Sequence, residues 1–270
     1  MLDNKYIGVF DSGLGGLSVV EKIFKEIPQA KIIYLGDTAR VPYGSRTAKE
    51  LINFADEITH FLLNKDCEVI VDACNSTSAV ALDFLQQKYS KPIIGVIEPG
   101  VRAALDVTRN GCIGVVATEA TVKSSAHKKT AQELEPGITI IPQACPDFVP
   151  LVELGEVTGE RALNIVKRTL EPFKETSIDT LILGCTHYPY LSELIKEVVG
   201  EKITLVNPAY ETVKETAKYF LEKSQGENLK IKTEDHEFYV TGSPDHFQRI
   251  GEILMEKKLP LVKKVEMEKN

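Results

Sequence analysis

Glu68-Val69-Ile70-Val71-Asp72-Ala73-Cys74-Asn75-Ser76-Thr77 passes from an apolar run into a string of polar residues, and Thr180-Leu181-Ile182-Leu183-Gly184-Cys185-Thr186-His187 repeats that passage 111 positions later at its Cys. Short, nearly continuous Val/Ile/Leu runs of this kind are strands buried on both faces, as in parallel sheets covered by helices. Working outward, similar runs predict strands at Tyr6 to Phe10, Lys31 to Leu35, Glu68 to Asp72, Ile93 to Ile97, Cys112 to Ala117, Ile138 to Pro142, Thr180 to Leu183, Ile203 to Val206 and Glu237 to Thr241. Helical patterns fill most gaps: Leu51, Phe54, Ala55, Ile58, Phe61 and Leu62 recur at three and four residues and form one apolar stripe. Alternation of strand and amphipathic helix specifies an α/β fold.

A weak internal repeat divides the chain. Ile7-Gly8-Val9-Phe10-Asp11-Ser12 is similar to Ile113-Gly114-Val115-Val116-Ala117-Thr118 at an offset of 106, close to the 111 that separates Cys74 from Cys185. Two similar α/β lobes are therefore expected, each with a mainly parallel sheet flanked by helices. The second lobe should span residues 98–207, and the first should be discontinuous, 1–97 with 208–270 returning to complete it.

The chain of 270 residues carries 32 Lys plus Arg against 39 Asp plus Glu, a formal charge of −7, which argues against nucleic acid as a partner because phosphate binding needs a cationic surface. No apolar run approaches the roughly 18 residues of a membrane span, and the opening MLDNKYIGVF lacks the pattern of a secretory leader, so a cytoplasmic protein is expected. The five Cys (67, 74, 112, 145 and 185) are odd in number and contain no C-x-x-C pair, which indicates reduced thiols and no metal site.

In open parallel sheets a ligand sits beyond the carboxyl ends of the strands. The residues there are Asp11-Ser12-Gly13-Leu14-Gly15-Gly16, Gly36-Asp37-Thr38-Ala39-Arg40-Val41-Pro42-Tyr43-Gly44, Cys74-Asn75-Ser76-Thr77, Thr118-Glu119 and Cys185-Thr186-His187-Tyr188-Pro189. Neutral donors dominate this set, which suits a small charged ligand. The glycine cluster is not a dinucleotide fingerprint, since its third position holds Ser18. Cys74 precedes a run of N-cap formers and an expected helix from Ala79 to Lys88, and Cys185 is placed likewise. A helix N-terminus should lower each thiol's pKa. Cys67, Cys112 and Cys145 lie in or before apolar runs and read as core. Two thiols facing one cavity suit removal of a proton from one face of a carbon and delivery to the other, which is racemisation without a cofactor. The competing readings are a nucleotide-cofactor oxidoreductase and a Cys/His acyl transferase or hydrolase built on Cys185, His187 and Glu153.

Together these segments, with Gly95-Val96-Ile97-Glu98-Pro99-Gly100 and Cys145-Pro146-Asp147-Phe148-Val149-Pro150-Leu151-Val152-Glu153, resemble glutamate racemases, the cofactor-independent enzymes that supply D-glutamate for peptidoglycan and so for cell shape. Aspartate racemase is the nearest alternative. The resemblance implies two acid/base thiols, Cys74 and Cys185, with Asp11 assisting Cys74, and His187 and Glu153 assisting Cys185. It implies an active site in the cleft between the two lobes, substrate contacts from Asp11, Ser12, Pro42, Tyr43, Gly44, Asn75, Ser76, Thr77, Thr118, Thr186 and His187, no cofactor and no metal, and a homodimer. Two positions depart from the family pattern: Ser76 follows Cys74-Asn75 where Thr is usual, and His127 stands where a Tyr is expected.

Overall fold

The computed structural model describes residues 6–223 and 232–267. Its strands are β1 (Tyr6–Asp11), β2 (Lys31–Gly36), β3 (Cys67–Asp72), β4 (Ile93–Ile94), β5 (Cys112–Ala117), β6 (Thr139–Ala144), β7 (Thr180–Gly184), β8 (Thr204–Val206), β9 (Glu237–Val240) and β10 (Val262–Lys264). The helices are α1 (Leu17–Glu26), α2 (Ala48–Leu63), α3 (Asn75–Ser78), α4 (Leu82–Lys88), α5 (Ile97–Val107), α6 (Glu119–Ser124), α7 (Ala126–Leu134), α8 (Phe148–Glu153), α9 (Gly159–Leu170), α10 (Ser192–Val199), α11 (Ala209–Lys223) and α12 (Pro244–Met255).

The strands form two sheets, one of six in the order β10-β9-β2-β1-β3-β4 and one of four in the order β6-β5-β7-β8, with parallel pairing throughout. The two-residue period of a strand decides which helices each side chain meets. On the first sheet, Ile7, Val9, Val69 and Val71 pack with α1, α11 and α12 residues such as Leu17, Val213 and Phe247, while Phe10, Ile33 and Ile70 pack on the opposite face with Ala55, Ile58 and Leu62 of α2. On the second sheet, Cys112, Val116, Leu181 and Leu183 face Val152, Val166 and Ile195, and Ile113, Val115 and Ile182 face Val101, Ala104 and Ala131. Both strand faces are thus covered, which is why the strands read as uninterrupted apolar runs.

Registry brings the functional strand ends level. Phe10 lies opposite Asp72 and Ala117 opposite Gly184, so the turns carrying Asp11 and Cys74 emerge side by side from one sheet, and those carrying Thr118 and Cys185 from the other.

Two local expectations are corrected, and one strand was not anticipated. The strand expected over Ile93 to Ile97 ends at Ile94, because Leu82 presses against Gly95 and α5 has begun by Ile97. The helix expected from Ala79 to Lys88 begins only at Leu82, and the cap formers after Cys74 are themselves the short helix α3. Strand β10 had no apolar signature: of Val262-Lys263-Lys264 only Val262 is buried, as befits an edge strand. Among the described residues no helix is long and apolar enough to cross a membrane, and all five Cys are free and buried.

Candidate active site

Asp11 ends β1 fully buried, a position that costs a carboxylate heavily unless donors surround it. Gly13 N–H donates to Oδ2 at 3.0 Å, and Thr186 of the opposite lobe donates its hydroxyl to Oδ1 at 2.9 Å. Burial still pushes the Asp11 carboxyl up, and the nearby His187 charge pulls against it. The glycines beyond Asp11 are there for close approach. A Cβ on Gly13 would sit 2.2 Å from Glu153 Oε1, and one on Gly15 would sit 2.3 Å from His187 Nδ1. Gly13 and Gly15 therefore accommodate side chains of the second lobe, and the loop is held by Tyr34 donating to the Gly13 carbonyl at 2.6 Å.

Cys185 follows β7. Its Sγ lies 3.7 Å from His187 Nδ1, and His187 Nε2 lies 2.7 Å from Glu153 Oε1, the oxygen that also accepts the Leu14 N–H at 2.8 Å. Burial disfavours an imidazolium, but the hydrogen bonds and charges of Cys185 and Glu153 overcome it and raise the His187 pKa well above its usual value. Burial likewise opposes charge on Glu153, yet His187 and the Leu14 amide hold that carboxyl below the usual range. Ser18 completes the junction by donating to the Thr186 carbonyl at 3.0 Å. Glu153, from the end of α8, thus lies against His187.

Cys74 follows β3 and is 5% exposed, as is Cys185. The expectation that a helix start would lower its pKa is overturned. Burial raises the Cys74 thiol well above its ordinary value, Asp11 and Asp72 add to the rise, and the Cys185 charge contributes as well, which the Thr77 N–H only partly offsets. A one-turn helix offers too little opposing field.

The remaining expected residues divide by what they touch. Ser76 and Thr118 meet hydroxyl to hydroxyl at 2.9 Å across the lobes, and Thr118 continues to Thr121 at 3.0 Å. Gly44 lies against Thr118. The Thr77 hydroxyl is turned inward to Asp72 at 2.6 Å. Tyr43 is buried after Pro42 and donates to Asp37, a carboxylate that also accepts from Arg40 Nε at 2.5 Å and Thr241 at 2.8 Å. Ser12 and Asn75 are buried, and the Asn75 Oδ1 has no partner within the described residues. Cys67, Cys112 and Cys145 sit in the hydrophobic clusters.

Four contributors were not singled out from sequence: Asp72, Thr121, Tyr34 and the role of Asp37. A carboxylate directly after Val69-Ile70-Val71 was the available signal for Asp72, because a charge in a doubly covered strand demands partners. Among the described residues no group of three or more His, Cys, Asp or Glu side chains is arranged to hold a metal ion.

Comparison with known proteins identifies the family. Residues 7–216 match the model of the Asp/Glu/Hydantoin racemase family. The chain is 43% identical to a glutamate racemase of Geobacter metallireducens over 98% of its own length and 97% of the relative's. With one of Oceanobacillus iheyensis it shares 42% over 94% and 92%. Among solved structures, a Bacillus anthracis glutamate racemase superposes with a TM-score of 0.91 at 38% identity, covering 98% of each chain. One from Francisella tularensis in complex with D-glutamate gives 0.89 at 34%, also covering 98% of each chain. A Picrophilus torridus aspartate racemase, at 15% identity and a TM-score of 0.59, shares the fold alone. Matched across most of its length by the family model and along nearly all of it by these relatives, the chain belongs to the Asp/Glu/Hydantoin racemase family.

Proposed function

We propose that this protein interconverts L- and D-glutamate by moving a proton between two opposed thiols, Cys74 and Cys185, without a cofactor. The observation that carries the reading is the pair of buried thiols that follow equivalent strands, β3 and β7, with His187 3.7 Å from Cys185 and the Asp11 charge near enough to Cys74 to act on its thiol. Asp11 serves Cys74, and the Glu153–His187 pair serves Cys185. The favoured imidazolium at His187 lies beside Cys185, while burial, with Asp11 and Asp72, holds Cys74 as the thiol. One thiolate facing one thiol is the protonation state the reaction needs. The thiolate takes the α-proton from one face, the resulting carbanion takes the thiol's proton on the other, and the reverse reaction starts from the exchanged state.

The developing charge on the α-carboxylate is met by preorganised donors, worth most where water is excluded. Contacts to substrate come from Asp11, Ser12, Pro42, Tyr43, Gly44, Asn75, Ser76, Thr77, Thr118, Thr186 and His187. The lobes are 1–97 with 208–270, and 98–207. The relatives' names support glutamate as substrate. A cytoplasmic homodimer supplying D-glutamate for peptidoglycan is part of the proposal and rests on the sequence resemblance alone.

The test is α-proton exchange with purified protein in deuterated water, glutamate and aspartate being compared without added cofactor. Glutamate should exchange and invert with kcat/KM roughly tenfold or more above aspartate, because the shorter acid leaves a buried donor unpaired. Equal efficiency on aspartate, or inversion only after a nicotinamide or pyridoxal cofactor is supplied, would overturn the assignment.

A further inference from the structure

Asp72 is fully buried in the last position of β3, on the face where Ile70 enters the hydrophobic core. An aliphatic residue would satisfy that packing, and one carboxylate oxygen, Oδ2, has no partner among the described residues. Core formation therefore does not account for this side chain. Its other contacts do. Oδ1 accepts the Cys74 N–H at 3.2 Å and the Thr77 hydroxyl at 2.6 Å, and the Asp72 carbonyl accepts the Ser78 hydroxyl at 3.0 Å. Three links thus tie both ends of α3 back to one residue.

We propose that Asp72 is a positioning residue for Cys74, its carboxyl group gathering the Cys74 amide and the Thr77 hydroxyl so that the turn presents the thiol in one orientation. This rests on the two-thiol reading above. Thr77 matters because its backbone N–H is the group that favours the thiolate of Cys74. By fixing the Thr77 side chain, Asp72 keeps that N–H in place. Burial, reinforced by the Asp11 charge, pushes the Asp72 carboxyl up to about 8. Oδ1 accepts both bonds whether or not the carboxyl is ionised, and when ionised its charge opposes the Cys74 thiolate.

The experiment uses α-deuterated L- and D-glutamate with purified variants. Loosening Cys74 raises the barrier for transfer at that thiol. The isotope effect on kcat/KM should then rise for the enantiomer that Cys74 deprotonates and fall for the other, for which reprotonation becomes limiting. Asp72→Leu should lower kcat roughly tenfold or more with KM changed by less than about threefold, and should show this split. Asp72→Asn, which keeps an oxygen acceptor, should recover most of the loss. His187→Gln, which removes the ring nitrogen facing Cys185, should split the isotope effects in the opposite sense. Where Asp72→Leu does not fold, Thr77→Val removes one of the two donors and should give the same sense as Asp72→Leu. Wild-type isotope effects in Asp72→Leu or Thr77→Val, a rise in both directions, or the sense seen for His187→Gln would overturn the proposal. Racemisation surviving in Cys74→Ala would instead overturn the two-thiol reading, so the two failures are told apart.

Discussion

Thr186, the residue after Cys185, donates its hydroxyl at 2.9 Å to Asp11, the carboxylate that ends the central strand of the other lobe. The group assigned to assist one thiol is thus held by the neighbour of the other, so disturbing either lobe's loop reaches both. Removing this bond with Thr186→Val leaves a buried carboxylate short of a donor, at a cost of about 1.5–3 kcal/mol. Racemisation followed by circular dichroism should show kcat/KM lower by roughly tenfold or more. Asp11→Asn should cost more, on the order of 10²-fold, because it removes an acid/base group rather than its support. A Thr186→Val enzyme as active as the parent would show that Asp11 needs no help from the second lobe.

The glycine loop makes a second prediction. In Gly15→Ala the new methyl would fall 2.3 Å from His187 Nδ1 and 2.4 Å from Thr186 Oγ1, so the ring facing Cys185 must move. We expect kcat to drop roughly tenfold to a hundredfold, since displacements of about 1 Å in a catalytic group are that costly. Far-ultraviolet circular dichroism should remain that of the parent. Unchanged kcat would mean that the His187–Cys185 contact is dispensable.

Division of labour between the thiols predicts an isotopic asymmetry. Early in the reaction in deuterated water, product should carry solvent deuterium at the α-carbon and recovered substrate almost none. Cys74→Ala and Cys185→Ala should each abolish racemisation while melting close to the parent temperature, because each change removes one small buried side chain. Substrate labelled as heavily as product would indicate a single base.

His127 supplies a prediction about stability. It is buried against the end of β7 with Nε2 unpartnered among the described residues, and burial lowers its pKa from the usual 6.5 to about 4. The folded protein therefore binds this proton less readily than the unfolded chain. The contribution is complete above pH 6.5 and is lost as the pH falls from there toward 4, amounting in full to about 3 kcal/mol. Urea unfolding at pH 7 and pH 4.5 should show a smaller acid-side loss in His127→Phe than in the parent. Parallel losses in the two proteins would remove His127 from the account of acid sensitivity.

Much of this protein was legible in its sequence, because strands of a doubly covered parallel sheet must be apolar on both faces and must end at the first residue that needs water or a donor. That rule located Asp11, Cys74, Thr118 and Cys185 at strand ends, and the near-equal offsets of the two halves anticipated two sheets. It could not locate β10, whose Lys-rich edge leaves no periodic signal. Nor could it set the ionisation of Cys74. Local reading weighs a helix start, but desolvation and the charges of Asp11 and Asp72 exceed that field, and they depend on packing. The pairings of Asp11 with Thr186 and of Leu14 with Glu153 join residues 175 and 139 positions apart. Periodicity along a chain records which face of each element is buried, whereas a hydrogen bond between lobes depends on where two separately folded sheets come to rest, and only the tertiary structure decides that.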